Sequence, residues 1–115
     1  MDQAYAISQV GNIKVLRVNS LLSEFTNREI LQLAQDCIDQ GFTKFVVNLG
    51  GMPYTNSVGL NFLISLQARC QDQAGAVVVS QISDKIIQLL EVTKLRPLFT
   101  ITQSEEEALA LINEL

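Results

Sequence analysis

A chain of 115 residues has room for one compact domain at roughly 150 residues per domain, and 48% apolar residues with only two Pro exclude a disordered chain. Eight Lys plus Arg against twelve Asp plus Glu, a net charge of -4, argue against a phosphate-tracking basic face, so nucleic acid and anionic membrane are poor partners. The absence of His and Trp removes the usual general base near neutral pH and the commonest zinc ligand, and most hydrolase mechanisms with them. Met1-Asp2-Gln3-Ala4 has no basic stretch leading into an apolar core, as a secretory signal would. The apolar run Val58 to Leu66 is broken by Gly59, Asn61 and Ser65 and falls far short of a membrane span of about 20 residues. The expectation is a soluble, cytoplasmic domain without direct membrane insertion.

Tyr5 to Val10 and Ile13 to Val18 are strand-like runs joined by Gly11-Asn12, a dipeptide suited to the positive φ values of a two-residue hairpin. The chain is thus predicted to open with an antiparallel pair. Thr26 before Asn27-Arg28-Glu29 matches a capping box, and Phe25 with Ile30 can supply a hydrophobic staple. Ile30, Leu33, Ala34, Cys37 and Ile38 recur at helical spacing, and Gly41 follows where a left-handed terminator is wanted. These signals place a first helix over Asn27 to Gln40. Phe45-Val46-Val47-Asn48-Leu49 is nearly all apolar and β-branched, which suits a central parallel strand covered on both faces. A second helix follows from about Ser57 to Gln71, deeply packed through Leu66, and Ala76 to Ser80 is the next buried strand. Ser83 is expected to cap a third helix carrying Ile86, Leu89 and Leu90, and Pro97 to stop it. Phe99 to Thr102 reads as a short last strand. Ser104-Glu105-Glu106-Glu107 is a second capping box, before a helix with Ala108, Leu111, Ile112 and Leu115 on its apolar stripe.

The order ββαβαβαβα predicts an α/β fold, a mostly parallel mixed sheet with an N-terminal antiparallel hairpin and four helices on its faces. Cys37 and Cys70 stand on apolar helix faces without CxxC spacing and read as reduced core thiols. Functional loops in such sheets gather at the carboxyl ends of the strands. Here these are Asn19 to Thr26, Gly50 to Asn56 and Gln81 to Ser83.

The second loop carries the most chemistry. Ser57 falls where the loop turns into a helix, with Gly59 keeping the approach open, and a phosphoryl group on it would meet the free N–H groups and dipole of a helix start. Equally, Ser57 or Asn56 can act as a plain helix cap, with Gly59 easing packing. Spacing alone leaves both readings open. Gly50-Gly51 is followed by no Lys in P-loop order and the chain has no GxGxxG, which argues against a bound nucleotide. Leu21-Leu22 either contacts a partner or folds inward, and Tyr54 reads as packing or loop anchoring. Glu105 to Glu107 complements a helix dipole, since adjacent helical positions diverge by about 100° and cannot converge on a metal.

Phe45-Val46-Val47-Asn48-Leu49 and Asn56-Ser57-Val58-Gly59-Leu60 resemble the STAS domain of bacterial anti-sigma factor antagonists. The likeness extends through the opening hairpin, Leu90, Leu95, Phe99-Thr100-Ile101 and Ala108-Leu109, so that residues 1–115 form one STAS-type domain. The resemblance implies a non-enzymatic protein without cofactor or metal. It would bind a serine kinase that doubles as an anti-sigma factor, let go when phosphorylated, and be restored by a phosphatase. Ser57 falls on the phosphorylated position, and Gly59 and Leu60 match the motif's glycine and following leucine. The partner-facing set implied is Leu21, Leu22, Tyr54, Asn56, Gly59, Leu60 and Ser83. Asn56 stands where the family usually has Asp, and Val58 where a second Ser or Thr is common. Those departures favour an alternative, a scaffold subunit of a larger signalling or transport assembly that is never phosphorylated.

Overall fold

Two runs of β-branched residues with no polar interruption, Val46-Val47 and Val77-Val78-Val79, can only be buried if both faces of their strands are covered, and they lie at the middle of the sheet. The computed structural model describes residues 5–20, 22–52 and 55–115. Among these, five strands and four helices follow in the order β1 Tyr5–Val10, β2 Ile13–Val18, α1 Glu24–Asp39, β3 Lys44–Asn48, α2 Ser57–Asp72, β4 Ala76–Ser80, α3 Asp84–Val92, β5 Thr100–Thr102 and α4 Glu105–Ile112. The strands lie side by side in chain order. β1 and β2 are antiparallel, with Tyr5 opposite Val18 and Val10 opposite Ile13, and every later pair is parallel.

The period of two along each strand divides the core. Leu16, Val18, Phe45, Val47, Val77 and Val79 face a large cluster with residues of α1, α2 and α3. Ile13, Val15, Val46 and Val78 face the other way, against Ala108 and Ile112 of α4. Phe45, Val46 and Val47 are fully buried, as a strand sandwiched between helical layers requires. On the α4 face the register aligns Arg17, Asn48, Ser80 and Thr102 as a polar row at the carboxyl end of the sheet. Glu105 closes this row: Arg17 holds it through Nη2 at 2.8 Å and Nε at 3.1 Å, and Asn48 Nδ2 donates to its Oε1 at 3.0 Å. Burial alone would raise Glu105, but these hydrogen bonds and the Arg17 charge more than offset that and hold it below the usual carboxylate range.

Several boundaries differ from the sequence reading, each for a local reason. α1 begins at Glu24 because Ser23, not Thr26, is the cap: its Oγ accepts from Thr26 N at 3.1 Å. Glu29 is drawn away to Tyr5, whose hydroxyl donates to its carboxylate and is pushed up to about 12, first by that hydrogen bond and then by burial. The staple does not form, since Ile30 is buried while Phe25 is 68% exposed. Pro97 does not stop α3. The helix ends earlier, where Lys94 at φ 63 lets Leu95 N reach Leu90 O at 2.8 Å and Lys94 N reach Glu91 O at 3.1 Å, a left-handed terminating motif; Pro97 sits in a 3-10 turn, Arg96–Leu98, beyond it. The same motif closes α1 at Gly41, φ 103, as expected, and α2 at Ala74, φ 57. β5 starts at Thr100, with Phe99 buried just ahead of it. Leu111 is half-buried and Leu115 exposed, so the final stripe narrows to Ala108 and Ile112. Cys70 is fully buried and its thiol pushed up to about 12 by that burial, whereas Cys37 is only half-buried; both are free.

Candidate functional site

The amino ends of α1, α2, α3 and α4 all follow the carboxyl ends of strands, so the four helix starts gather at one end of the sheet. The four free N–H groups at each start need acceptors, and the sequence supplies a short polar side chain just ahead of every helix. Ser23, Ser83 and Ser104 accept from the N–H three residues on, at 3.1, 3.3 and 3.1 Å. α2 differs. Its cap is Asn56, whose Oδ1 accepts from Gly59 N at 2.9 Å while its Nδ2 donates to Leu22 O at 3.3 Å. One carboxamide therefore caps α2 and ties it to the segment ahead of α1.

Because Asn56 takes the cap, Ser57 becomes the first helical residue and is exposed. Its hydroxyl makes no hydrogen bond among the described residues, unlike those of the three capping serines. The sequence left open whether Ser57 or Asn56 serves the helix; the geometry assigns that task to Asn56. Gly59 is buried, and a Cβ there would lie 2.1 Å from Thr55 Oγ1, so this position admits the Thr55 side chain. Leu60 is half-buried against the main core. Ser83 is half-buried and engaged as the α3 cap. Leu22 folds inward at 3% exposure, into an apolar pocket with Val18, Leu49, Met52 and Phe62, which is the inward alternative of the two the sequence allowed. Leu21 and Tyr54 lie outside the described residues.

The structure also brings together residues the sequence reading did not select. Glu24, Asn27 and Arg28 of α1 and Ser57, Val58 and Asn61 of α2 line a groove of about 370 Å³ open to solvent. Asn27 is 8% exposed, and its Oδ1 is buried without a partner. It sits at the head of the buried stripe Asn27, Ile30, Leu31, Ala34, Ile38. A polar residue at a position of helical core spacing is the available signal, masked in the sequence because the Thr26 capping box makes Asn27 the first residue of the predicted helix. Arg28 is exposed and makes no ion pair among the described residues; the pair formed there is Arg17 with Glu105. No group of three or more His, Cys, Asp or Glu side chains among the described residues could hold a metal ion. No helix of the described residues is long and apolar enough to cross a membrane.

The model of the STAS domain family matches residues 4–108. Among solved structures, the anti-sigma factor antagonist SpoIIAA in its unphosphorylated form superposes with a TM-score of 0.83 at 19% identity, covering 97% of this chain and 98% of that one. The phosphorylated form of the Bacillus cell fate determinant SpoIIAA gives 0.77 at 20% identity, over 95% of this chain and 99% of that one. An anti-sigma factor antagonist from Mycobacterium paratuberculosis gives 0.75 at 17% identity, over 95% and 92%. No curated protein matches the sequence at a significant level.

Proposed function

Since the chain belongs to the STAS domain family, we propose that it is a regulatory binding domain of the anti-sigma factor antagonist kind, working in the cytoplasm, whose grip on a serine kinase is switched off by phosphorylation of Ser57. The supporting observation is that Ser57 is exposed at the first turn of α2 with its hydroxyl unengaged among the described residues. The domain is a substrate and not an enzyme. The kinase brings ATP and magnesium; Ser57 Oγ takes the terminal phosphoryl group, ADP leaves, and the hydroxyl proton passes to the kinase. A phosphatase returns the hydroxyl by hydrolysis.

The energetics separate folding from binding. A phosphate adds about -1.5 to -2 charges, and at a helix start this stabilises the fold by about 0.3 to 2 kcal/mol. Against an acidic or apolar partner surface the same charge costs several kcal/mol in repulsion and desolvation, and about 3 kcal/mol lowers affinity more than a hundredfold. Beside Ser57 stand Asn56 and Leu60, and the first turn of α1 carries Phe25, an exposed aromatic of the kind that anchors interfaces. The test is intact-mass measurement after incubation with the kinase recovered from the native host and ATP. One added phosphate on wild type and none on Ser57→Ala, with Ser57→Asp failing to retain the kinase, is expected; no added mass on wild type rejects the switch.

A second reading, an unphosphorylated scaffold subunit of a larger assembly, is favoured by Asn56, which caps α2 with no carboxylate where the family usually has Asp. A native complex indifferent to Ser57→Asp selects it. Asn56→Asp refines the comparison: faster labelling of Ser57 in that variant would mean that the missing carboxylate is one the kinase reads.

A further inference from the structure

The groove between the first turns of α1 and α2 has a composition that the switch alone does not explain. Two helices of 16 residues each start here, so two positive dipole ends converge. Arg28 adds a full positive charge without an ion pair among the described residues. Asn27 is 8% exposed yet its carboxamide makes no hydrogen bond to any described residue. Its oxygen is wholly enclosed, so the amide end is the one left toward the opening it lines. The enclosed oxygen is an acceptor that an anion cannot satisfy; what Asn27 offers the groove is its Nδ2, a donor with no partner among the described residues. Ser57 lines the same groove, within the first turn of the facing helix.

We propose that this groove is an intramolecular receptor for the phosphoryl group of Ser57, in which the Arg28 guanidinium and the Asn27 amide hold the dianion in place. The inference rests on the reading of Ser57 as the modified residue and adds how the modified state is held. A phosphoryl oxygen accepts from Asn27 Nδ2, from Arg28 and from the N–H groups of the first turn of α2, all donors of the type that bind phosphate. Glu24 is the opposing group: its carboxylate lines the groove as well and repels the dianion. Occupied in this way, the groove is bridged from α1 to α2, and the surface beside Ser57 that an unmodified partner site would use is filled. Phosphorylation then changes the shape of the docking face as well as its charge.

The experiment installs the phosphate on Ser57 during protein synthesis with an expanded genetic code, so it needs no kinase, and follows the second ionisation of the phosphate by 31P chemical shift against pH. In wild type the expected value lies about one pH unit below the ordinary value near 6, a roughly tenfold fall in proton affinity. Arg28→Gln and Asn27→Leu each raise it back by about half a unit, and Glu24→Gln lowers it further. Asn27→Leu also leaves the unphosphorylated fold at least as stable as wild type, because it removes an unpaired buried amide. An ionisation near 6 in wild type, or one that neither Arg28→Gln nor Asn27→Leu shifts, overturns the receptor. A shifted ionisation in a protein that its host kinase never labels keeps the receptor and rejects the switch; an unshifted one in a protein that is labelled does the reverse.

Discussion

Asn56 is the residue on which the geometry around Ser57 depends, and replacing it separates two bonds that one carboxamide makes. In Asn56→Ala the α2 cap is lost, which costs about 1 kcal/mol, and so is the 3.3 Å bond to Leu22 O, worth about another 1 kcal/mol. The expected loss is about 2 kcal/mol, or roughly 8 °C in Tm for a chain of this size. In Asn56→Asp the carboxylate still accepts from Gly59 N and gains up to about 1 kcal/mol from the helix dipole. It cannot donate to Leu22 O, however, and sets a negative oxygen against that carbonyl. The two effects nearly cancel at neutral pH, so Asn56→Asp should lie within about 1 kcal/mol of wild type. A carboxylate held by an N-terminal cap has a lowered pKa in the folded state, so its contribution is present above about pH 4 and is lost as pH falls through the folded value. Urea unfolding followed by circular dichroism at pH 7 and at about pH 3 measures all three proteins. If Asn56→Asp is as damaging as Asn56→Ala at pH 7, the Leu22 bond dominates and the cap assignment fails. If Asn56→Ala costs less than about 0.5 kcal/mol, Ser57 is able to take over the cap and its hydroxyl is not spare.

Three further outcomes follow from other parts of the molecule. Lys94 ends α3 at φ 63, where a side chain costs about 1 to 2 kcal/mol and glycine gives back roughly half of that in chain entropy; Lys94→Gly should raise the urea midpoint by about 0.5 kcal/mol of stability, and an unchanged or lower midpoint refutes it. Glu105, held below the usual carboxylate range by Asn48 and Arg17, stabilises the fold above its unfolded pKa near 4.3 and ceases to as pH falls through its lower folded value. Glu105→Gln should therefore be less stable than wild type at pH 7, with the gap narrowing below about pH 4; a gap independent of pH would refute that account. Cys70, fully buried with its thiol near 12, should resist a thiol reagent in native buffer and react only on unfolding, while half-buried Cys37 reacts first; equal rates by mass spectrometry would contradict the packing of α2.

The order of elements was legible because each segment carries its own period and stop signals. Val77-Val78-Val79 and Phe45-Val46-Val47 announce strands covered twice, and Gly41 ends α1 where a left-handed residue was expected. Errors fell where two local signals overlap. Ser23 and Thr26 are both short hydroxyl residues suited to an N-terminal cap; Ser23 takes the role, and Glu29, which would have completed a box at Thr26, is held by Tyr5 instead. α3 ends at Val92 because the left-handed Lys94 after it lets Leu95 N reach Leu90 O, and nothing about a lysine advertises that. Ser57 was picked out by its place after a strand. Its groove was not, because the nearness of Arg28 and Asn27 to Ser57 is made by packing α1 on α2, a contact between segments far apart in the chain.

The division of labour at the start of α2 is what makes a serine there suitable for modification. At Ser23, Ser83 and Ser104 the hydroxyl is spent on the helix, accepting from the third N–H onward, and a bulky ester on any of them would have to break a bond worth about 1 kcal/mol. Shifting the cap to Asn56 moves that duty one residue upstream and leaves Ser57 inside the positive end of the helix without structural work to do. A phosphate can then come and go without unfolding the domain, since its attachment point contributes nothing to the cap and its charge is welcome at that end of the helix.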